Sequence, residues 1–214
     1  ADTDIFTTFE GDNNVLMQLV AKSLLTEFSK SFKEDGNFAM LKFISRRVTT
    51  IVTEQNPYAI RQTDREHLTS RDFYQNAFDF RARRLTSTLA QRLRAYVKGG
   101  KSSHEASLLC QTHMIAAAEA YVEALCIAHS LERIDALESS PAKTVLKKTI
   151  QLYALHTIEG HAGWYLESDY IAGNKSKAIR TAVDVLCAEL RYEVGALVNG
   201  FGIPGALLAA PIAL

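Results

Sequence analysis

Ten residues into the chain a carboxylate, Glu10, is followed at once by Gly11 and then by Asp12, Asn13 and Asn14, within the run Thr7-Thr8-Phe9-Glu10-Gly11-Asp12-Asn13-Asn14-Val15-Leu16. A carboxylate held in place can accept a proton as a general base. Gly11 lacks a Cβ, so the backbone beside the carboxylate can pass close under a ligand and take a φ that other residues resist. The short polar side chains of Asp12, Asn13 and Asn14 stand where an apolar-periodic helix begins. There they can cap it or hydrogen-bond hydroxyl and phosphate groups near the positive end of its dipole. Glu-Gly-Asp before a helix is also the ordinary form of an N-capped loop, so the tripeptide by itself does not decide for chemistry.

Other constellations carry less. Gly99-Gly100-Lys101-Ser102 holds the Gly-Lys-Ser of a phosphate-binding loop, but the earlier glycine such a loop needs is replaced by Ala95 and the preceding segment reads as helix. His156, Glu159 and His161 hint at a zinc helix. Histidines five residues apart, however, stand about 140° apart on a helical wheel, and no metal site is expected. Arg81, Arg83, Arg84, Arg92 and Arg94, with Asp72 and Asp79 nearby, read as a solvated face or an interface. Trp164 beside Tyr165 and Leu166 reads as a packing anchor, and His113 and His129 as core or rim histidines. Cys110, Cys126 and Cys187 are odd in number, lack C-x-x-C spacing and sit among apolar residues. They read as buried thiols from a reducing compartment.

The elements that must position these residues are helices. With 214 residues the chain can bury a full core in one domain or at most two. Its 24 basic and 24 acidic side chains cancel, so no global field favours nucleic acid or an anionic membrane. No uninterrupted apolar run approaches the roughly 20 residues of a membrane span, and Ala1-Asp2-Thr3-Asp4 is unlike a signal peptide. Apolar residues recur at three and four in Leu16, Leu19, Val20, Leu24, Phe28 and Phe32, predicting a helix over about 13–34. The same spacing predicts helices over 38–54, ended by Asn56-Pro57, and over 70–98, ended by Gly99-Gly100. Ser102-Ser103-His104-Glu105 has the form of a capping box and opens a helix reaching about Arg133. Ser140-Pro141 opens another that holds the Trp164 region, and Gly173-Asn174 separates it from a last helix over 175–200. With no convincing strand alternation, the fold class is all-α, a bundle of about six long helices.

The full run from Thr7 to Leu16 resembles the flavin-site signature of acyl-CoA oxidases, T-F-E-G-D-N-x-V-L, close kin of the E-G-T-x-Q loop in acyl-CoA dehydrogenases. Two further stretches, Glu159-Gly160-His161-Ala162-Gly163-Trp164-Tyr165-Leu166-Glu167 and Phe201-Gly202-Ile203-Pro204 to Ala210-Pro211-Ile212, look like that family's last two helices and tail. The chain therefore resembles the C-terminal part of an acyl-CoA oxidase. On that reading 1–13 is a flavin-site loop carrying the catalytic base and 14–214 the C-terminal α-helical domain. Asn14 stands where the family usually has Thr, a departure that leaves the base untouched.

The resemblance implies an FAD-dependent oxidase that turns acyl-CoA and dioxygen into trans-2-enoyl-CoA and hydrogen peroxide, the first step of fatty acid β-oxidation. Glu10 would take the α proton while a hydride leaves the β carbon for flavin N5. Its own N–H and a ribityl hydroxyl would polarise the thioester carbonyl. Glu10 and Gly11 would meet the substrate, and Asp12, Asn13 and Asn14 the FAD. The family forms homodimers, and the region preceding Ala1 would supply the remaining flavin domains. The isolated chain is thus expected to hold no FAD and to be inactive. Two alternatives stand beside this. One is an acyl-CoA dehydrogenase, disfavoured by the long stretch after Glu10; the other is a helical dimerisation module without activity. Ile212-Ala213-Leu214 is not a Ser-Lys-Leu type of peroxisomal address, which points to a bacterial-type cytoplasmic enzyme, or a peroxisomal one addressed otherwise if the source is eukaryotic.

Overall fold

The structure, a computed structural model, describes residues 13–35 and 59–204, and among them every regular element is a helix. Helix α1 is Asn13–Asp35; a 3-10 turn at Ala59–Arg61 leads to α2 at Arg65–Leu68 and α3 at Arg71–Lys98. Then come α4 at Ser103–Leu109, α5 at Gln111–Asp135, α6 at Pro141–Gly160, α7 at Ala162–Glu167, α8 at Gly173–Leu190 and α9 at Val194–Asn199. The helix expected over 38–54 lies outside the described residues.

Side-chain caps set the starts of α3, α4 and α6. The Ser70 hydroxyl accepts from the Phe73 N–H at 3.3 Å, and Ser140 accepts from Lys143 at 3.2 Å with Pro141 in the first helical position. At α4 the capping box closes both ways: Ser102 Oγ accepts from the Glu105 N–H at 3.2 Å while Glu105 accepts from the Ser102 N–H at 2.9 Å. Helix α3 ends at Gly100, whose φ of +89° lets the Lys101 N–H reach back to the Tyr96 carbonyl at 3.1 Å. Gly-Gly-Lys-Ser is thus a helix stop followed by a helix start.

Three expected helices prove to be broken. The one beginning at Ser103 bends at Cys110, whose buried thiol belongs to the core formed with Leu85, Leu89 and Met114. The next is interrupted at His161, and the last by a 3-10 turn at Arg191–Glu193. Its start also differs, because Gly173 is the first residue of α8 and the chain turns earlier, at Asp169, with a φ of 53°. There the Tyr170 N–H bonds the Tyr165 carbonyl at 3.0 Å and the Asp169 N–H bonds that of Leu166 at 3.1 Å, closing α7.

Two contiguous cores result. One joins α3, α5, α6, α7 and α8 through Phe73, Phe80, Ile127, Leu155, Tyr165 and Ile179. Here Phe80 stacks on Tyr170 at 4.5 Å, Trp164 meets Tyr165 edge-on at 5.2 Å, and the Tyr165 hydroxyl donates to the Ala77 carbonyl at 3.1 Å. Trp164 is a packing anchor, as its neighbours suggested. The other core seats α1 on α3 and α5. By length and composition α5 alone among the described helices could cross a membrane; a third of its apolar window is buried, where it packs against α1, α3 and α6.

Candidate functional site

Asn13 and Asn14 form the first turn of α1, and both are exposed. Glu10, Gly11 and Asp12 lie outside the described residues. What the structure describes is the seat of the helix that follows them. Ala21 and Leu24 of α1 are buried, with Met17, Val20 and Leu25 packed beside them against Ala82, Ala117, Ala118 and Ala120 of α3 and α5. A seam of alanines lets two helix backbones approach closely, and it leaves no room for a large side chain directly opposite. The buried face is therefore rotated from the one periodicity predicts. Leu16 and Leu19, expected inside, are 38% and 54% exposed, and Val15 is 64% exposed. An apolar edge thus lies beside Asn13 and Asn14, at the end of α1 where the loop enters. Phe28 and Phe32 lie where side chains are outside the described set.

The basic stretch divides. Arg84, Arg92 and Arg94 are exposed, but Arg81 is buried, with Nη1 2.5 Å from Glu123 Oε2 and its Nε left without a hydrogen-bond partner. His161 Nε2 stands 3.6 Å from the other oxygen of Glu123, so the helix break at His161 is set against this ion pair. A signal for Arg81 was present: it falls four residues after Ala77 and eight after Phe73, on the inward line of α3. His156 leans toward Glu159 at 3.9 Å and shares no centre with His161. Among the described residues no three His, Cys, Asp or Glu side chains gather as a metal-binding group.

His113 lies at the rim of the core, its Nε2 3.1 Å from the Leu85 carbonyl and 3.2 Å from Thr88 Oγ1. Burial holds its pKa below the usual histidine value, which favours a neutral ring donating Nε2–H to the carbonyl. His129, in contrast, is on the surface 3.6 Å from Glu132. Of the three thiols only Cys110 is buried; Cys126 and Cys187 are exposed, because the inward lines of α5 and α8 run through Ile127 and Leu186 beside them.

Sequence reasoning missed Lys175. In the first turn of α8 it is fully buried, with Nζ 2.9 Å from the Ala59 carbonyl, 2.9 Å from His67 Nε2 and 4.1 Å above the centre of the Phe73 ring. Burial, and then the nearby Lys175 charge, push the His67 pKa down to about 4, so the ring is neutral and Nε2 accepts from the ammonium. This clamp fastens the 3-10 turn and α2 onto α8. Lysine is an ordinary surface residue, and nothing in its neighbours marked it as buried. What the described residues offer is the seat of α1 on α3 and α5 rather than a complete set of reacting groups.

The family described as Acyl-CoA oxidase matches residues 70–214. Acyl-coenzyme A oxidase 2, peroxisomal, of Arabidopsis thaliana is 34% identical over 100% of this chain and 31% of its own length. The acyl-coenzyme A oxidase-like protein of Mus musculus is 26% identical over 98% of this chain and 33% of its own. In fold, the crystal structure of acyl-CoA oxidase 3 from Yarrowia lipolytica superposes with a TM-score of 0.77 at 21% identity, covering 98% of this chain and 29% of that one. The chain thus spans about a third of the length of the curated relatives it matches. The match falls in the stretch after Glu10, where an oxidase and a dehydrogenase were expected to differ.

Proposed function

The chain belongs to the acyl-CoA oxidase family, and from that premise we propose that it is the C-terminal helical third of an FAD-dependent enzyme converting acyl-CoA and dioxygen to trans-2-enoyl-CoA and hydrogen peroxide. The observation that carries the reading is the start of α1. Val15, Leu16 and Leu19 leave an apolar edge open beside Asn13 and Asn14, immediately after the loop bearing Glu10. Such an edge calls for cover by protein, and the remaining two thirds of the polypeptide would provide it.

The residues present fit a flavin. Helix α1 has an exposed N-terminus with no acidic side chain in its first turn, and its two amide side chains can hydrogen-bond ribityl hydroxyls or phosphate oxygens beside the positive end of the dipole. When bound, FAD supplies the hydride acceptor and passes the electrons to dioxygen. Glu10 takes the proton from the carbon α to the thioester, and its backbone N–H holds the carbonyl oxygen on which charge develops. Gly11 keeps the backbone close under the acyl chain, and Asp12, Asn13 and Asn14 hold the cofactor. The loop is 1–13 and the helical domain 14–214.

The assembled enzyme is a homodimer acting in fatty acid β-oxidation. Relatives whose names carry a compartment are called peroxisomal; that compartment extends to this chain if its source is eukaryotic, and the cytoplasm if it is bacterial. The test is Glu10→Gln in the complete polypeptide, which keeps the shape of the side chain and loses the proton acceptor. Flavin absorbance should remain while its anaerobic bleaching by acyl-CoA slows by about 10²–10⁴-fold. Reduction within about tenfold of the parent would place the base elsewhere.

A further inference from the structure

The second half of α3 and the turn after it carry charge of one sign. From Phe80 to His104 the sequence holds seven arginines and lysines and no aspartate or glutamate, in a chain whose net charge is zero. Arg81 is turned inward on Glu123, and Arg92 leans over the Tyr96 ring at 5.9 Å, but Arg94, Lys98 and Lys101 stand on the surface where α3 turns into α4. The next carboxylate along the chain, Glu105, is engaged by the Ser102 N–H and hydroxyl, both at 2.9 Å. The result is a local positive field on a neutral molecule.

Within this field a groove of about 360 Å³ lies between the end of α3 and α4. Two lines of α3 run along it, each spaced by one helical turn: Leu93 with Val97, and Arg94 with Lys98. Ser103, Ala106 and Ser107 of α4 form the facing wall, and side chains this small let another backbone come close. Val97 in the groove and Leu108 and Leu109 on α4 are about half exposed. The rim is thus cationic and the floor apolar. A nucleic-acid backbone would satisfy the rim and leave the floor empty, and a flat bilayer would not enter a concave floor. Carboxylates and apolar side chains on adjacent lines of one helix match both.

We propose that this groove docks an acidic amphipathic helical segment of a partner protein, its apolar line on Leu93 and Val97 and its carboxylates against Arg94, Lys98 and Lys101. The proposal is independent of the flavin chemistry. It makes the α3–α4 turn an interaction surface whose specificity comes from charge and whose anchor is apolar.

The test is fluorescence anisotropy on the complete polypeptide with a labelled helical peptide that carries leucine and glutamate on adjacent lines at four-residue spacing. Binding should saturate at one to one and weaken about tenfold between about 0.05 M and about 0.5 M salt. Lys98→Gln combined with Lys101→Gln should weaken it about three- to tenfold, and Val97→Asp should abolish it. All three side chains are exposed, so the fold should be kept, and an unchanged melting temperature checks that. Lys147→Gln, exposed on α6, should change nothing, and the same peptide with lysine in place of glutamate should not bind. Absence of saturable binding up to about 1 mM peptide, or binding that survives the α3 and turn substitutions, would overturn the proposal. So would a DNA duplex or a phosphatidylserine vesicle that bound as tightly as the peptide and depended on the same two lysines, because the cations would then be assigned to phosphates.

Discussion

Replacing Ala21 by leucine tests the seat of α1 at its tightest point. Ala21 is 1% exposed in a cluster with Ala117, Ala118 and Ala120, which are 1%, 0% and 1% exposed, so three added carbons have no free volume to enter. Overpacking of this kind costs about 1–3 kcal/mol. The cost has a ceiling, since α1 can relieve the clash by lifting off. Leu24 is buried and Met17, Val20 and Leu25 are half-buried, a set worth about 4–6 kcal/mol of gross apolar burial. The strain is smaller than that, so α1 should stay docked but open more easily. The melting temperature should fall by about 3–10 °C. Amides of α1 should exchange about tenfold or more faster while those of α6 and α8 hold their rates. The contrasting variant is Leu19→Ala, on the exposed edge, expected within about 0.5 kcal/mol of the parent. If Leu19→Ala cost 2 kcal/mol or more while Ala21→Leu were neutral, the buried face of α1 would be the one periodicity predicts and the argument for the alanine seam would fail.

Lys175→Met takes the ammonium donor from the half-buried Ala59 carbonyl and His67 Nε2; with water able to replace part of what is lost and the apolar side chain regaining some burial, stability should fall by about 1–2 kcal/mol by urea denaturation. An unchanged midpoint would mean the clamp is unimportant. Because the His67 pKa is lowered to about 4 in the folded state, the unfolded chain binds the proton more readily, and stability present above pH 6.5 declines as the pH falls from 6.5 toward 4. His67→Gln, which keeps an acceptor but does not titrate, should flatten that decline relative to the parent; identical slopes would remove His67 as its source. Asp169 holds a left-handed backbone at φ 53°, so Asp169→Gly should raise the melting temperature by about 1–4 °C, and a fall would show that the aspartate side chain contributes more than its backbone costs.

What could be read from the chain in advance follows the range of the interactions. Helix starts at Ser140-Pro141 and Ser102 through Glu105 depend on groups within four residues, and they stand where the pattern puts them. The bends at Cys110 and His161 carry no proline, and they arise from contacts with α3 and α5 distant in sequence. Lys175 was invisible for the same reason: its acceptor, the Ala59 carbonyl, lies 116 residues away. Arg81 was hidden by its neighbours in a charged run, although its helical spacing with Phe73 and Ala77 was available. On α1, periodicity found the helix but not its facing. Leucine outranks alanine in hydrophobicity, whereas the seam selects for small size.

That last difference bears on how the proposed base would be placed. Glu10 stands out as a local motif, legible in ten residues, but a base acts only when held within a fraction of an ångström of the proton it removes. The helix that follows it gets its orientation from Ala82, Ala117, Ala118 and Ala120, all within the 70–214 stretch that matches the oxidase family. A volume change at any of these alanines would turn or lift α1 and with it the entry of the loop. The long helical region after Glu10 is therefore more than a cover over a site assembled elsewhere. It is the surface against which the helix that follows the proposed base is aligned, and substitutions along that seam should alter flavin reduction without touching any group that meets substrate.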